Sequence, residues 1–354
     1  MKRRKVLIFL PSTTGGAERV AVTIGKMLPI DEFEVKFVIV HHQMGTIGQF
    51  IPKEYEIIHI PIHNIWCAAT LRMMRIIKRE NPDVVFSAVR YLAARTILAA
   101  HLVNNHIKSI IRMDNTAKSL RWDYVFLLKH TFKYASYMIT QQEEMKAEYE
   151  QLLNDKSGKI IALHNPIDTK SIQLKLTAPN PFHDKGKYLK YVWVGRFQPA
   201  KGQDLLVKAF EKVHSSKPNA HLYLIGKYDP KSDFFKEINN FVVENKIKDF
   251  VHFIGFDNNP YKWVKYCDCF VMPSRLEGLP NALIEAMYIG RPVVATKCIP
   301  VVSRIVDEGQ NGFLAETENV DSIAECMMKA PLLRNVRMTY RPSVDEDFIK
   351  LFRV

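Results

Sequence analysis

The stretch KVLIFLPSTTGGAERVAVTIGKML, from Lys5 to Leu28, decides the fold. Its apolar run, Val6–Leu10, is short, follows a basic tip and stops at Pro11, so it reads as a buried strand. After the glycine pair Gly15-Gly16, the residues Ala17, Val20, Ala21, Ile24, Met27 and Leu28 recur at i, i+3, i+4 and i+7. That spacing makes one buried face of a helix, with Glu18, Arg19 and Lys26 expected on the other side. A strand, a tight turn and an amphipathic helix form the first half of a βαβ unit. The same alternation continues through Val35–Val40, Ile57–Ile60, Val84–Phe86, Ile110–Ile111, Tyr137–Ile139 and Ile160–Leu163. The expectation is an α/β chain with a doubly wound parallel sheet.

After Leu163-His164-Asn165-Pro166 a polar stretch carries Pro179, Pro181 and Gly186, and the alternation then restarts. The second series runs Tyr191–Val194, Leu222–Ile225, Val251–Ile254, Phe270–Met272 and Val293–Ala295. Two Rossmann-like domains are therefore expected, 1–165 and 166–335. A length of 354 residues agrees with two domains at roughly 150 residues each. Residues 336–354 should hold a terminal helix, opened by a capping box over Ser343–Glu346, with Phe348, Leu351 and Phe352 at helical spacing; its return to the first domain is left open by so short a segment.

Composition removes several classes. Hydrophobic residues at 47% and charged residues at 25% suit a globular chain. No stretch reaches the roughly 20 apolar residues of a membrane-spanning helix, and the apolar run behind Met1–Lys5 is too short for a signal peptide. Cys67, Cys267, Cys269, Cys298 and Cys326 are few and odd in number, which fits a reducing cytoplasm; Cys267 and Cys269 read as packing residues rather than metal ligands. The net charge of +13 is uneven. Residues 1–175 hold 25 Lys+Arg against 16 Asp+Glu, a surplus of 9, and the remainder holds 25 against 21, a surplus of 4. Such a surface suits phosphorylated substrates, anionic lipid or nucleic acid.

In open parallel sheets ligands bind beyond the carboxyl ends of the strands. Three loops there carry chemistry. Gly15 and Gly16 let main-chain amides approach a phosphate or a sugar, although a simple capped turn explains them equally well. The pattern is neither GxGxxG nor GxxxxGK[ST]. After the next domain's first strand, Gly195-Arg196-Phe197-Gln198-Pro199-Ala200-Lys201-Gly202 offers a guanidinium and an ammonium to one anion. The third loop is Ser274-Arg275-Leu276-Glu277-Gly278-Leu279-Pro280-Asn281-Ala282-Leu283-Ile284-Glu285. Here Gly278 permits close approach, Pro280 suits the first helical turn, and the helix N-terminus favours an anion. Asn281 and Glu285 share a helix face; Glu285 can accept from a ribose diol and Glu277 from sugar hydroxyls.

These residues resemble the family 4 retaining glycosyltransferases of the GT-B fold, whose pattern joins a Gly-Gly loop, G-R-F-x-x-x-K-G, and E-x7-E within S-x-x-E-G-x-P-x-x-x-x-E-A. The likeness covers nearly the whole chain and is strongest from Tyr191 to Leu314, including Asn311-Gly312-Phe313-Leu314. It implies two domains facing across a cleft. It implies a hexosyltransferase that moves a hexose or N-acetylhexosamine from a nucleoside-diphosphate sugar, UDP by default, to a glycan or lipid-linked glycan. Capsule, lipopolysaccharide and other surface-polysaccharide synthesis are the settings it suggests. Glu277, Arg196 and Lys201 would be catalytic. Gly15, Gly16, Arg196, Lys201, Glu277, Gly278, Leu279, Pro280, Asn281 and Glu285 would bind the donor. Transfer would retain configuration, with the departing phosphate oxygen taking the acceptor proton, and would require neither metal nor cofactor.

Two departures from the family pattern stand out. Arg112-Met113-Asp114 occupies the place where members often carry a histidine, making Asp114 and Arg112 candidate acceptor or sugar contacts. The loop Cys298–Arg304 lacks the usual glycine and glutamate. Residues Trp66–Glu80 and Lys118–Tyr137 interleave cations with aromatics and are candidates for contact with an anionic membrane surface. The expected location is the cytoplasm, with peripheral attachment to the inner face of the membrane as one candidate and a core-packed helix with a solvated basic face as the other. The rival readings are a basic nucleic-acid-binding or regulatory protein with an inactive cleft, and a nucleotide-sugar epimerase or phosphorylase of the same fold. E-x7-E favours sugar transfer over both, so no nucleic acid partner is expected.

Overall fold

A computed structural model describes residues 2–11, 15–41, 47–61, 68–182, 186–340 and 343–353. The chain divides into two compact units, one made of residues 1–167 with 342–354 and the other of residues 168–341. The first holds β1 (Arg4–Leu10), β2 (Phe33–Val40), β3 (Glu56–Ile60), β4 (Val84–Ser87), β5 (Lys108–Arg112), β6 (Tyr137–Thr140) and β7 (Ile160–Ala162). They lie in the order β3-β2-β1-β4-β5-β6-β7, all parallel. The second holds β8 (Leu189–Val194), β9 (Ala220–Ile225), β10 (Val251–Gly255), β11 (Cys269–Met272), β12 (Val293–Thr296) and β13 (Gly312–Ala315). Their order is β10-β9-β8-β11-β12-β13, again parallel. Both units are thus Rossmann-like doubly wound sheets. In each, the strand order reverses beside the first strand, between β1 and β4 and between β8 and β11.

The strands are continuous apolar runs because both faces of each sheet are covered. In β1, Val6, Ile8 and Leu10 enter one core while Leu7 and Phe9 enter another. All five are fully buried. Strand β13 escaped the reading of apolar runs because only Phe313 and Leu314 mark it between polar neighbours. Gly312 there pairs with Val293 so closely that a Cβ would overlap the Val293 carbonyl. A glycine inside a strand marks close backbone approach.

The helix Asp345–Arg353 returns to the first unit, where Phe348, Ile349, Leu351 and Phe352 join the core against β1, β2 and β4. Phe352 packs edge-on against Phe86, with ring centroids 5.6 Å apart. Arg353 grips Glu32 through two hydrogen bonds of 2.8 and 2.7 Å. The expected capping box does not form: the Ser343 hydroxyl accepts the main-chain N–H of His164 at 2.9 Å, and Glu346 binds Arg353 at 2.6 Å. Ser343 therefore ties the returning segment to the first unit rather than starting a helix.

Cys267, Cys269 and Cys326 are buried and Cys298 is half-buried, all as free thiols; Cys67 lies outside the described residues. Burial pushes the Cys267 thiol up to about 12, as befits a packing residue. Among the described residues no helix is long and apolar enough to cross a membrane.

Candidate functional site

The switch point of the second sheet brings the loops after β8 and β11 together, the position at which doubly wound sheets form crevices. The β8 loop ends in a single 3-10 turn, Pro199–Lys201, followed by Gly202 at φ +69°. A Cβ on Gly202 would overlap the Pro273 carbonyl oxygen, so the two loops meet backbone to backbone. Arg275 stitches them. Its main-chain N–H donates to the Ala200 carbonyl at 2.8 Å and its guanidinium donates to the Pro199 carbonyl at 2.7 Å. The same guanidinium makes a two-pronged pair with Asp204, both bonds 2.7 Å, and reaches Glu318 at 2.5 Å. Burial raises the cost of charging Asp204, yet the Arg275 hydrogen bonds hold its carboxyl below the usual range.

Within this frame Lys201 donates to Glu277 Oε2 at 2.7 Å, and the Ser274 hydroxyl donates to Glu277 Oε1 at 2.7 Å. Ser274 is fully buried, and the Glu277 side chain is 9% exposed against 28% for Lys201. A shielded carboxylate therefore holds a more exposed ammonium beyond the carboxyl ends of β8 and β11. An arriving diphosphate would compete for that ammonium, and each phosphate contact Lys201 makes would free Glu277 Oε2 to accept from a hydroxyl. The pair keeps two charged groups positioned without leaving either unpaired.

Arg196 behaves differently. Its carbonyl is fixed by the Gln203 side chain at 2.8 Å, whereas its guanidinium is exposed and has no hydrogen-bonding or ionic partner among the described residues. The two cations singled out in the β8 loop are thus not equivalent. Beyond Glu277, Leu279 and Pro280 are buried and the helix Asn281–Tyr288 begins one residue later than expected, with Pro280 as its cap instead of its first turn. Glu285 stands on that helix and accepts the Tyr261 hydroxyl at 3.2 Å; the Lys175 ammonium lies 5.6 Å from the Tyr261 ring centre. Tyr261 itself is 5% exposed. Glu277 and Glu285 are therefore held by different elements, although both come from one loop and helix.

In the first unit Gly15 precedes the helix Gly16–Met27, and residues 12–14 lie outside those described. Glu18 is a correction to the sequence reading, which put it on the solvent side: it is buried, with its carboxylate folded over Gly15. Beside that carboxylate a hydroxyl fits better than a phosphate. Arg112, at the end of β5, is fully buried; one Nη donates to the Asn165 side chain, while its Nε and other Nη find no partner among the described residues. Burial lowers its pKa to about 10, opposed by the Asp114 carboxylate, so it stays cationic at neutral pH. Burial, with Glu18 and Asp114 adding to it, pushes the Tyr91 hydroxyl up to about 12. Glu18, Tyr91, Arg112 and Asp114 thus gather where β1, β4 and β5 end. Tyr91 carried no motif, and its place follows only from the strand order.

The chain matches two family models. "Glycosyltransferase Family 4" matches residues 14–171 and "Glycosyl transferases group 1" matches residues 177–341. An uncharacterised glycosyltransferase of Methanocaldococcus jannaschii is 28% identical over 246 residues, covering 65% of this chain and 59% of that one. An N-acetylgalactosaminyltransferase of Campylobacter jejuni, named for its N,N'-diacetylbacillosaminyl-diphospho-undecaprenol substrate, is 25% identical across 90% of this chain and 88% of its own. Among solved structures, Anabaena HepE in complex with UDP and glucose superimposes with a TM-score of 0.81 at 16% identity, covering 99% and 98% of the two chains.

Proposed function

As the chain belongs to the family 4 glycosyltransferases of the GT-B fold, we propose that it transfers a hexose or N-acetylhexosamine from UDP-sugar to a lipid-linked glycan, retaining configuration and needing no metal. The observation that carries this reading is the Lys201–Glu277 pair at the β8/β11 switch point, locked by Ser274 and by the Arg275 stitch. Lys201 and Arg196 would take the charge of the departing diphosphate, aided by the N-terminus of the helix Asn281–Tyr288, where the helix dipole favours an anion. Those groups supply the positive field that a metal ion provides elsewhere. Glu285 would accept from the ribose and Glu277 from the donor sugar. The sugar's anomeric carbon would bond to the acceptor oxygen on the face the diphosphate leaves, and the diphosphate oxygen would carry off the acceptor proton. Arg112 and Asp114 would contact the acceptor or the sugar from the first unit.

The choice of UDP is supported by the HepE likeness, and the lipid-linked acceptor by the Campylobacter relative. The reading places the enzyme on the inner face of the cytoplasmic membrane. A thermal-stability panel of UDP, GDP, ADP and CMP tests it: UDP at about 100 times its Kd should add about 2.7 kcal/mol to the wild type. Glu285→Ala and Arg196→Ala should abolish the gain. Stabilisation by none of the four would dismiss the crevice as a nucleotide site.

Tyr261 is a positioning residue in this scheme. Tyr261→Phe keeps the packing and deletes the hydrogen bond to Glu285, so UDP should bind at least about tenfold more weakly, as a hydrogen bond to a charged group contributes about 1.5–3 kcal/mol. Calorimetric titration with UDP measures this directly. An unchanged Kd would remove Tyr261 from the ribose-binding arrangement.

A further inference from the structure

The helix Trp122–Thr131 turns one face fully outward. Trp122 is 82% exposed and Phe126 63% exposed, which is unusual for two large aromatics one helical turn apart. At about 100° per residue, Trp122, Phe126 and Lys129 fall within an arc of about 60°. Leu128 and Thr131, on the inner side, are buried. The 3-10 turn Phe132–Tyr134 that follows extends the outer face with exposed Lys133 and Tyr134, the ammonium of Lys133 lying 4.8 Å from the Tyr134 ring centre. Lys118 and Arg121 are exposed just before the helix.

Charge on this segment is one-sided. Between Thr116 and Tyr134 four cations, Lys118, Arg121, Lys129 and Lys133, face one acid, Asp123, for a net charge of +3. Asp123 is paired with Arg121 at 3.2 Å, which leaves Lys118, Lys129 and Lys133 uncompensated by any acid of the segment. A protein–protein contact is normally poor in lysine at its aromatic centre. Lysines beside exposed Trp and Phe on a convex helix match the headgroup region of a bilayer, where indole sits at the boundary and ammonium reaches lipid phosphate. The helix Ala68–Glu80 makes a contrast: it exposes Arg75, Lys78 and Arg79 but only one large apolar side chain, Leu71.

We propose that the outer face of helix Trp122–Thr131 and the turn after it dock the protein on an anionic bilayer, Trp122 and Phe126 entering among the headgroups and Lys129 and Lys133 binding lipid phosphate. This deepens the reading of a lipid-linked acceptor, and vesicles without donor or acceptor test it separately from that reading. The experiment is flotation of the full chain with phosphatidylcholine vesicles, with and without phosphatidylglycerol. Binding should require phosphatidylglycerol and weaken with salt. Lys129→Gln/Lys133→Gln should weaken it about thirtyfold, at about fivefold per cation lost near the surface. Trp122→Ser/Phe126→Ser should weaken it at least about tenfold, while Arg75→Gln/Lys78→Gln on the other helix leaves it within about twofold. A blue shift of tryptophan emission on vesicles, absent in Trp122→Phe, would place the indole in the lipid. Equal partitioning onto neutral and anionic vesicles, or variants that float like wild type, would overturn the proposal. So would variants that lose only the binding of a single-stranded oligonucleotide while still floating.

Discussion

Lys201→Met should lower kcat/KM for sugar transfer about a thousandfold, the usual loss when one preorganised group stabilising leaving-group charge is deleted. The substitution removes the ammonium and also leaves Glu277, 9% exposed and still bonded to Ser274, without its cation. Both effects act on the same step. In the proposed transfer the donor diphosphate would gain charge as the glycosidic bond breaks, so Lys201 would be worth more in the transition state than in the ground state, and the loss should fall mainly on kcat. Glu277→Gln separates the roles: it keeps the shape and the Ser274 contact but releases Lys201, so diphosphate affinity should hold while turnover drops by at least about a hundredfold. Steady-state kinetics over donor concentrations, alongside circular dichroism to establish folding, distinguish the cases. A rise in KM alone for Lys201→Met would mean that the ammonium only anchors the donor.

The largest stability effect should come from Phe348→Ala/Phe352→Ala. Each ring is fully buried in the first unit's core, and removing a buried phenylalanine ring costs about 3–5 kcal/mol. The pair costs about 6–10 kcal/mol against the roughly 5–15 kcal/mol that holds a domain folded. The first unit should therefore lose its cooperative transition in urea, and the second, whose core contains neither residue, should keep its own. Val344→Ala, at an exposed position before the helix, is the control and should change nothing measurable. If the double variant melts with the wild type, the terminal helix contributes little to the first core.

Much of the architecture was legible because buried parallel strands leave an unambiguous mark. Val6–Leu10 is apolar at every position since its odd and even residues serve two different cores. The paired glutamates of the Ser274–Ala286 segment were legible because strand, glycine and helix start must follow at fixed spacing. What stayed hidden depends on strand order and on groups far apart in sequence. Arg275 reads as one more loop cation until the β8/β11 adjacency sets it against Asp204, 71 positions away. Tyr91 meets Glu18 and Asp114 only because β4 lies between β1 and β5. Glu18 was misjudged for a further reason: helical phase describes a helix interior, and in the first turn a glutamate can fold back over its own N-terminus. The capping box failed because Ser343 had a more distant partner in His164.

The return of residues 343–353 to the first sheet also sets an order of events during synthesis. Residues 2–167 contain every strand of that sheet, yet the layer over β1, β2 and β4 is completed only by Phe348, Leu351 and Phe352. The whole of the intervening unit must be translated before they arrive. The unit encoded in the middle can therefore reach its final form first, while the one that begins the chain waits with an apolar surface uncovered. Any product interrupted before Phe348 would present that surface to chaperones and proteases, so an unfinished chain is marked for removal by its own topology.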